Sequence, residues 1–236
     1  MRQVICMKWG TLYGADYVNR LYNMVKRNLS GDFRFVCLTD DPEGIYDAVE
    51  CFDCPSVSIP EPHCNRGWRK VSLWGETVTG LEPGTALFID LDVIITGPLD
   101  SFFEIEGDFI VCKNWSASGP DGRIGNTSVY RFTIGKHAYL LEKLLNQTDE
   151  VLSEFSNSQT YISRTIEHDA MQFWPDGWCH SFKVHCVPPG IRRWLEPPRL
   201  PEGNRVVIFP GVPNPHDAAE GRWPAPWYKK FYKHIK

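Results

Sequence analysis

Thr85-Ala86-Leu87-Phe88-Ile89-Asp90-Leu91-Asp92-Val93-Ile94-Ile95 is the stretch that decides the fold. Thr85 to Ile89 reads as a continuous apolar run, the mark of a strand buried on both faces. Asp90 and Asp92 then stand two positions apart inside an otherwise apolar sequence. Side chains at i and i+2 of a strand point to the same side. Burying two like charges together without compensation is very costly. The two acids are therefore expected to emerge at a strand end or to share a cation. In open α/β sheets the carboxyl ends of the strands are where ligands sit. A divalent ion there would find hard oxygen donors, which suit Mg²⁺ or Mn²⁺. An Asp-x-Asp alone is a weak motif; its place directly behind a buried strand gives it weight.

Working outward, strand and helix signals alternate. Val4 to Trp9 is a short β run, and Ala15 to Asn28 sets Val18, Leu21, Tyr22, Val25 and then Leu29 at helical spacing, with Gly31 as a stop. Phe33 to Leu38 and Ala48 to Phe52 predict strands, and residues 53–66 a loop. Trp68 to Thr79 reads as a helix stopped by Gly80 and Pro83. Phe109 to Cys112 and Thr127 to Phe132 predict strands; His137 to Leu152 and Ser158 to Phe173 predict helices. In the last third proline becomes frequent, and Val206 to Phe209 is the one clear strand. This order predicts an α/β fold: a mostly parallel central sheet flanked by helices, with an irregular Pro-rich C-terminal portion. With no linker or repeat, 1–236 is read as a single domain, its 1–132 part and its 133–236 part continuous.

Composition removes several function classes. The 236 residues are 42% hydrophobic and 23% charged, with nine Trp, which excludes a disordered chain, a collagen-like repeat or a coiled coil. The net charge of −4 offers no basic excess for nucleic acid. No apolar run approaches the ~18–20 residues of a membrane helix. Met1 to Trp9 turns polar too soon for a signal peptide, so a cytoplasmic protein with eight reduced Cys is expected. Cys51-x-x-Cys54 with His63-Cys64, and Cys179-His180 with His185-Cys186, lack the paired spacing of a well-marked zinc site and read as ordinary thiols.

The motif order resembles a known family. Leu87 to Asp100, with Asp90-Leu91-Asp92 after a hydrophobic strand, is similar to the DxD region of GT-A fold glycosyltransferases, and nearest to glycosyltransferase family eight. Other segments fall in the family's order. Thr11 to Tyr17 resembles the nucleotide-binding turn after the first strand, and Phe35 to Asp41 the second strand with its TDD. Trp68 to Trp74 resembles the Lys-containing helix before the DxD, and Gly125 to Tyr130 the segment that carries an Asn. The likeness covers most of residues 3–132. It implies a GT-A (Rossmann-like) fold in which 1–132 binds the nucleotide-sugar and 133–236 forms the acceptor side.

The resemblance implies a donor that is a UDP-sugar and a carbohydrate or glycolipid acceptor. Asp90 would contact the ribose and the metal, and Asp92 would ligate Mn²⁺ or Mg²⁺, acting through Lewis-acid chemistry on the diphosphate. Thr11, Tyr13 and Asp40 would line the nucleoside pocket; Lys70 or Arg69 would face phosphate. Asn126 would face the transferred sugar or the acceptor. The family's C-terminal loop usually supplies a His to the metal. Here Ile208 stands where that His is expected, and His216 is the natural substitute as third ligand. His168-Asp169, closing the predicted helix, would match the pair near the donor sugar, with Asp169 binding sugar hydroxyls or orienting the acceptor.

Likeness to family eight implies retention of anomeric configuration; in an inverting enzyme Asp169 or Glu167 would be the base. Each of these residues also has an ordinary alternative: Asp40 and Asp41 as turn acids before Pro42, Lys70 and Asp169 as solvated helix residues, His216 as a loop residue beside Asp217. Trp115, Trp174, Trp178, Trp194 and Trp223 sit in loop-like sequence suited to stacking on sugar. The basic, aromatic end from Trp227 to Lys236 reads as a docked final helix; a weak peripheral contact with the inner face of a membrane is the alternative. Two other functions compete. A sugar-phosphate nucleotidyltransferase would normally carry a basic residue in its first turn, and Trp9 to Gly14 has none. A non-catalytic carbohydrate- or nucleotide-binding domain would leave the two acids without a rationale.

Overall fold

The computed structural model describes residues 1–115, 122–220 and 224–232. The chain opens with β1 (Arg2–Lys8), followed by α1 (Ala15–Asn28), β2 (Phe33–Thr39), β3 (Glu50–Asp53), β4 (Thr85–Ile89) and β5 (Val93–Ile95). Then come β6 (Phe109–Lys113), β7 (Gly125–Thr133), α2 (Tyr139–Asn146), α3 (Thr148–Glu154), α4 (Ser158–Thr165), β8 (Met171–Phe173), β9 (Cys179–Ser181) and β10 (Val206–Ile208). Two short helices close the described chain, α5 (Asp217–Glu220) and α6 (Tyr228–Phe231).

A seven-stranded sheet has the order β3-β2-β1-β4-β7-β6-β8. It is mostly parallel; β7 alone among these strands runs against its neighbours β4 and β6. Both faces are covered, which explains the continuous apolar strands. Along β1, Val4 and Cys6 join the core under α1, while Ile5 and Met7 join the core on the opposite face. Along β4, Leu87 and Ile89 go one way and Ala86 and Phe88 the other. α1 buries Tyr17, Val18, Leu21, Met24 and Val25, one stripe at helical spacing.

The apolar run around the two acids does not stay in one sheet. β4 ends at Ile89, and β5 belongs to a second sheet of three strands in the order β5-β10-β9. β10 returns from the C-terminal part to pair antiparallel with β5, Ile208 opposite Val93. Asp90-Leu91-Asp92 is therefore the crossing between two sheets, and the acids emerge at a strand end. The strand order places this crossing at the switch between β1 and β4, because β2 and β3 continue on the other side of β1.

Four sequence expectations are corrected. Residues 68–79 are not an α-helix; Gly67–Trp74 forms a 3-10 helix. Its threefold period puts Trp68, Val71 and Trp74, all buried, on one face. The helix expected over 137–152 is two helices, broken at Gln147 (φ −134°, ψ 45°), where the Thr148 hydroxyl donates to the Leu144 carbonyl at 2.8 Å. The helix expected over 158–173 stops at Thr165, because Met171–Phe173 is recruited as a strand beside β6. The last third holds β9 besides β10: three residues too short to announce themselves, specified by pairing with β10.

The described tail is docked. Tyr228 and Tyr232 are buried, the Arg20 guanidinium donates to the Tyr232 hydroxyl at 3.4 Å, and Arg27 donates to the Phe231 carbonyl at 2.8 Å. Residues 233–236, the rest of that basic end, and Trp223 lie outside the described residues. Among the described residues no helix is long and apolar enough to cross a membrane.

Trp74 anchors the 3-10 segment within a cluster of Phe109, Tyr130 and Phe132, stacked on Tyr130 at 6.1 Å. Trp74→Ala is expected to cost about 3–5 kcal/mol. Thermal unfolding followed by circular dichroism should show Tm lower by roughly 6–20 °C.

Candidate active site

At the carboxyl edge of β1 and β4 lies a cleft of about 660 Å³. One wall is the turn after β1, with Trp9, Gly10, Thr11, Leu12 and Tyr13; the floor is Asp90, Leu91 and Asp92; Arg66, Gly67 and Lys70 face the turn. A hollow of about 690 Å³ at another place, around Arg2, Asp32 and Asp100, is more open. Within it Arg2 holds Asp100 at 2.6 Å.

Lys70 is the central cation of the cleft. Its ammonium donates to both Asp90 oxygens, at 3.0 and 2.9 Å, and to the Thr127 carbonyl at 3.1 Å. The backbone of Asp90 is held as well, its N–H donating to the Ser128 carbonyl at 2.8 Å. Both acids emerge at a strand end, and the charge of Asp90 is matched there by a side chain of the protein itself. Lys70 lines the cleft, but its charge is directed at Asp90.

Asp92 is in a different electrostatic position. Tyr13 donates to its carboxylate at 3.1 Å, and the Asp92 carbonyl accepts from Phe209 N–H at 3.2 Å. Desolvation first, then the charge of Asp90, push the Asp92 carboxyl up to about 7; Lys70 and the Tyr13 hydroxyl pull the other way without cancelling this. Burial and the charge of Asp92 raise the Tyr13 phenol far above its ordinary range, so it remains a donor. A carboxylate in a cleft whose ionisation the fold opposes is a mark of a functional site.

The C-terminal return reaches the same place. The Tyr13 hydroxyl also lies 3.5 Å from Asn214 Oδ1, and Asn214 N–H donates to Asp217 at 2.8 Å. Asn214 was not singled out by the sequence, and neither was Arg66; only the pairing of β10 with β5 brings Asn214 here. His216 is hydrogen-bonded through Nδ1 to Tyr17 of α1, and its Nε2 lies 3.8 Å from Asp217. Among the described residues no group of three or more His, Cys, Asp or Glu side chains stands together as a metal site. The donor set fits a divalent ion as a pair of hard carboxylates; His216 is turned to Tyr17.

The other expected residues are placed as follows. Thr11 and Tyr13 line the cleft. Asp40 braces it from behind: it accepts from Gly10 N–H at 2.9 Å, and Arg69 faces it at 4.0 Å. Gly10 has φ +61°, a conformation that favours glycine, so this brace holds a turn a bulkier residue would strain. Arg69 is thus directed at Asp40. Asn126 is buried on β7 and its side chain caps its own strand, accepting from Ser128 N–H at 3.0 Å. Asp169 is in a 3-10 turn, fully exposed, 3.1 Å from His168, and away from the lining of this cleft; Glu167 is exposed beside it. The eight cysteines are free thiols. Trp174 is buried and stacked on Trp178, which packs under Arg205 at 3.7 Å.

A carboxyl with a raised folded pKa binds its proton more tightly than in the unfolded chain. Its contribution to stability therefore falls as pH rises from about 4 to about 7. Asp92→Asn removes that loss. The variant should melt several degrees above the parent at pH 8, and close to the parent at pH 4, read by thermal unfolding across pH.

No family model matches the chain, and no curated protein matches it in sequence. Solved structures do match. The chain superposes on LgtC, a galactosyltransferase solved with donor and acceptor sugar analogs, with a TM-score of 0.65 at 12% identity, over 97% of this chain and 94% of that one. The glycosyltransferase GlyE of Streptococcus pneumoniae TIGR4 gives 0.62 at 13% identity over 91% of this chain. The bifunctional glycosyltransferase WbbM gives 0.60 at 13% identity over 98%. The chain spans 56% of the GlyE chain and 51% of the WbbM chain. With the cleft at the β1–β4 switch and this superposition together, the fold is that of the GT-A glycosyltransferases, as the motif order in the first 132 residues implies.

Proposed function

We propose that this protein is a glycosyltransferase that moves a sugar from a nucleotide-diphosphate donor, a UDP-sugar, to an acceptor hydroxyl on a carbohydrate or glycolipid. The observation that carries this reading is the meeting of Asp90, Asp92 and Lys70 with the Trp9–Tyr13 turn in one cleft at the sheet's switch point. The GT-A fold supports it, and so does the resemblance to family eight, which also favours retention of configuration.

In this reading the nucleoside lies along Thr11 and Tyr13, on a turn whose shape Asp40 maintains through Gly10. The diphosphate enters beside two acids, so its own negative charge needs matching. Lys70 is occupied by Asp90, and Asp92 ionises only near neutrality. A divalent cation is the economical remedy, and the carboxylates suit Mn²⁺ or Mg²⁺. Asp90 and Asp92 would hold it, with His216 as the proposed third donor. Bound there, the ion supplies positive charge against the departing nucleotide. Tyr13 orients the Asp92 carboxylate, and Lys70 holds the Asp90 carboxylate in place. Asn126 is kept as a candidate for the sugar side, one residue from the carbonyl that anchors Lys70. Asp169 has no role in this mechanism, since its exposed side chain does not line the cleft.

Incubation with UDP-sugars and Mn²⁺ should release UDP; EDTA should abolish release, and Asp92→Ala should lower it at least 100-fold. A parallel incubation with sugar 1-phosphate and nucleoside triphosphate should yield no pyrophosphate; its release would favour a nucleotidyltransferase. UDP-sugar binding that is indifferent to EDTA and never turns over would favour a binding domain.

Lys70→Met should weaken UDP-sugar binding at least tenfold, measured by calorimetry. The same change should move the Asp92 titration further upward, because Lys70 lowers it in the parent. Carbon-13 NMR of the labelled carboxyl reads that shift.

A further inference from the structure

Large apolar side chains are exposed at scattered points of the described surface, which is ordinary for a folded chain. One turn departs from this. Ile191, Trp194 and Leu195 are 75%, 60% and 76% exposed within five residues of chain. They belong to the 3-10 helix Gly190–Trp194 and the residue after it. Side chains three apart eclipse in such a helix, so Ile191 and Trp194 share a face.

The turn is built rather than loose. Glu196 N–H donates to the Arg192 carbonyl at 2.8 Å, and Arg199 N–H donates to the Cys186 carbonyl at 2.9 Å, closing its base. Cys186, Val187 and Pro198 beneath it are buried. The Arg193 guanidinium folds onto the Gly190 carbonyl at 3.1 Å.

Charge says what the turn faces. Arg192, Arg193 and Arg199 stand on or beside it against Glu196, the one acid in the sequence from 183 to 199, in a chain whose net charge is −4. Glu196 is shared by Arg192 at 2.7 Å and Arg199 at 3.3 Å, so a positive surplus remains. An apolar tip with a Trp and a rim of arginines matches the interface of an anionic bilayer: apolar groups enter the headgroup boundary while cations stay above it. A protein partner is the poorer match. A stable interface buries about 1,000 Å² or more, and a single turn is far smaller.

We propose that residues Gly190–Leu195 form a membrane-docking wedge for anionic lipid, independent of the tail and of the sugar chemistry. The segment that leads into the wedge is tied to the cleft: Lys183 donates to the Pro210 carbonyl at 2.8 Å, and the neighbouring Phe209 N–H holds the carbonyl of Asp92. Docking there would set the cleft at a fixed attitude to a lipid surface.

The test is flotation of the full chain with vesicles of phosphatidylcholine, alone or with about 30 mol % phosphatidylglycerol. The parent should float with the anionic vesicles, less at high salt, and little with phosphatidylcholine alone. Ile191→Ser/Trp194→Ser/Leu195→Ser should bind at least tenfold more weakly while remaining folded by circular dichroism, as all three side chains are largely exposed. Arg192→Glu/Arg193→Glu should lose the preference for anionic lipid, and Lys229→Glu/Lys230→Glu in the tail should keep it. A parent that does not float, a triple Ser variant that floats equally well, or binding lost only in the tail variant would overturn the proposal. So would a parent dimer in sedimentation equilibrium that the triple Ser variant dissolves, since the turn would then serve a second copy of the chain.

Discussion

The arrangement of this protein turns on one ammonium group. Lys70 stands between the Asp90 carboxylate and the Thr127 carbonyl, so it joins the 3-10 segment, the end of β4 and the start of β7. Asp90 and Lys70 are both largely withdrawn from water, with side-chain exposures of 22% and 11%. Removing one member of such a pair strands the other charge, at a cost of about 3–5 kcal/mol when burial is complete. The pair therefore fixes where β4 stops and where the chain can cross to the second sheet. Trp68, Val71 and Trp74 set the height of that lysine by packing three apart on the core.

What the pair leaves over is the source of the chemistry. One cation compensates one acid, and Asp92 is left with the Tyr13 phenol and its own backbone N–H as donors. The fold holds it in a state where it gives up a proton near neutral pH. Such a group contributes nothing to stability in its ionised form, so its presence needs a reason other than folding. A cation arriving with an anionic substrate is a reason that physical chemistry supplies. The same cleft carries a turn shaped by Asp40 and a C-terminal loop delivered by β10. Three distant parts of the chain therefore converge on Asp92 through backbone pairing.

Several features were legible because they depend on local spacing. The stripe Tyr17 to Val25 is helical by its own periodicity, and β1, β2 and β4 are apolar because both faces of the sheet are covered. The two acids announced a strand end because no strand interior tolerates them together. Other features were not legible, and each has a physical cause. β8 and β9 have three residues apiece and exist by virtue of their partners. The 3-10 form of Gly67–Trp74 goes with the burial of Trp68, Val71 and Trp74 three apart against the core, which helical propensity does not register. Asp169 looked like a site residue when the helix was carried through to Phe173; ending α4 at Thr165 leaves it on an exposed turn.

The amino-acid order by itself determined the α/β class, the buried strand before Asp90 and the need to relieve two neighbouring charges, because these follow from hydrophobic pattern and desolvation along the chain. Only the tertiary structure decided which cation relieves which acid, that Asn214 and Tyr13 meet at Asp92, and that His216 turns to Tyr17. Those contacts join residues from 20 to about 200 positions apart. Their partners are selected by sheet order and strand pairing, which no local spacing encodes.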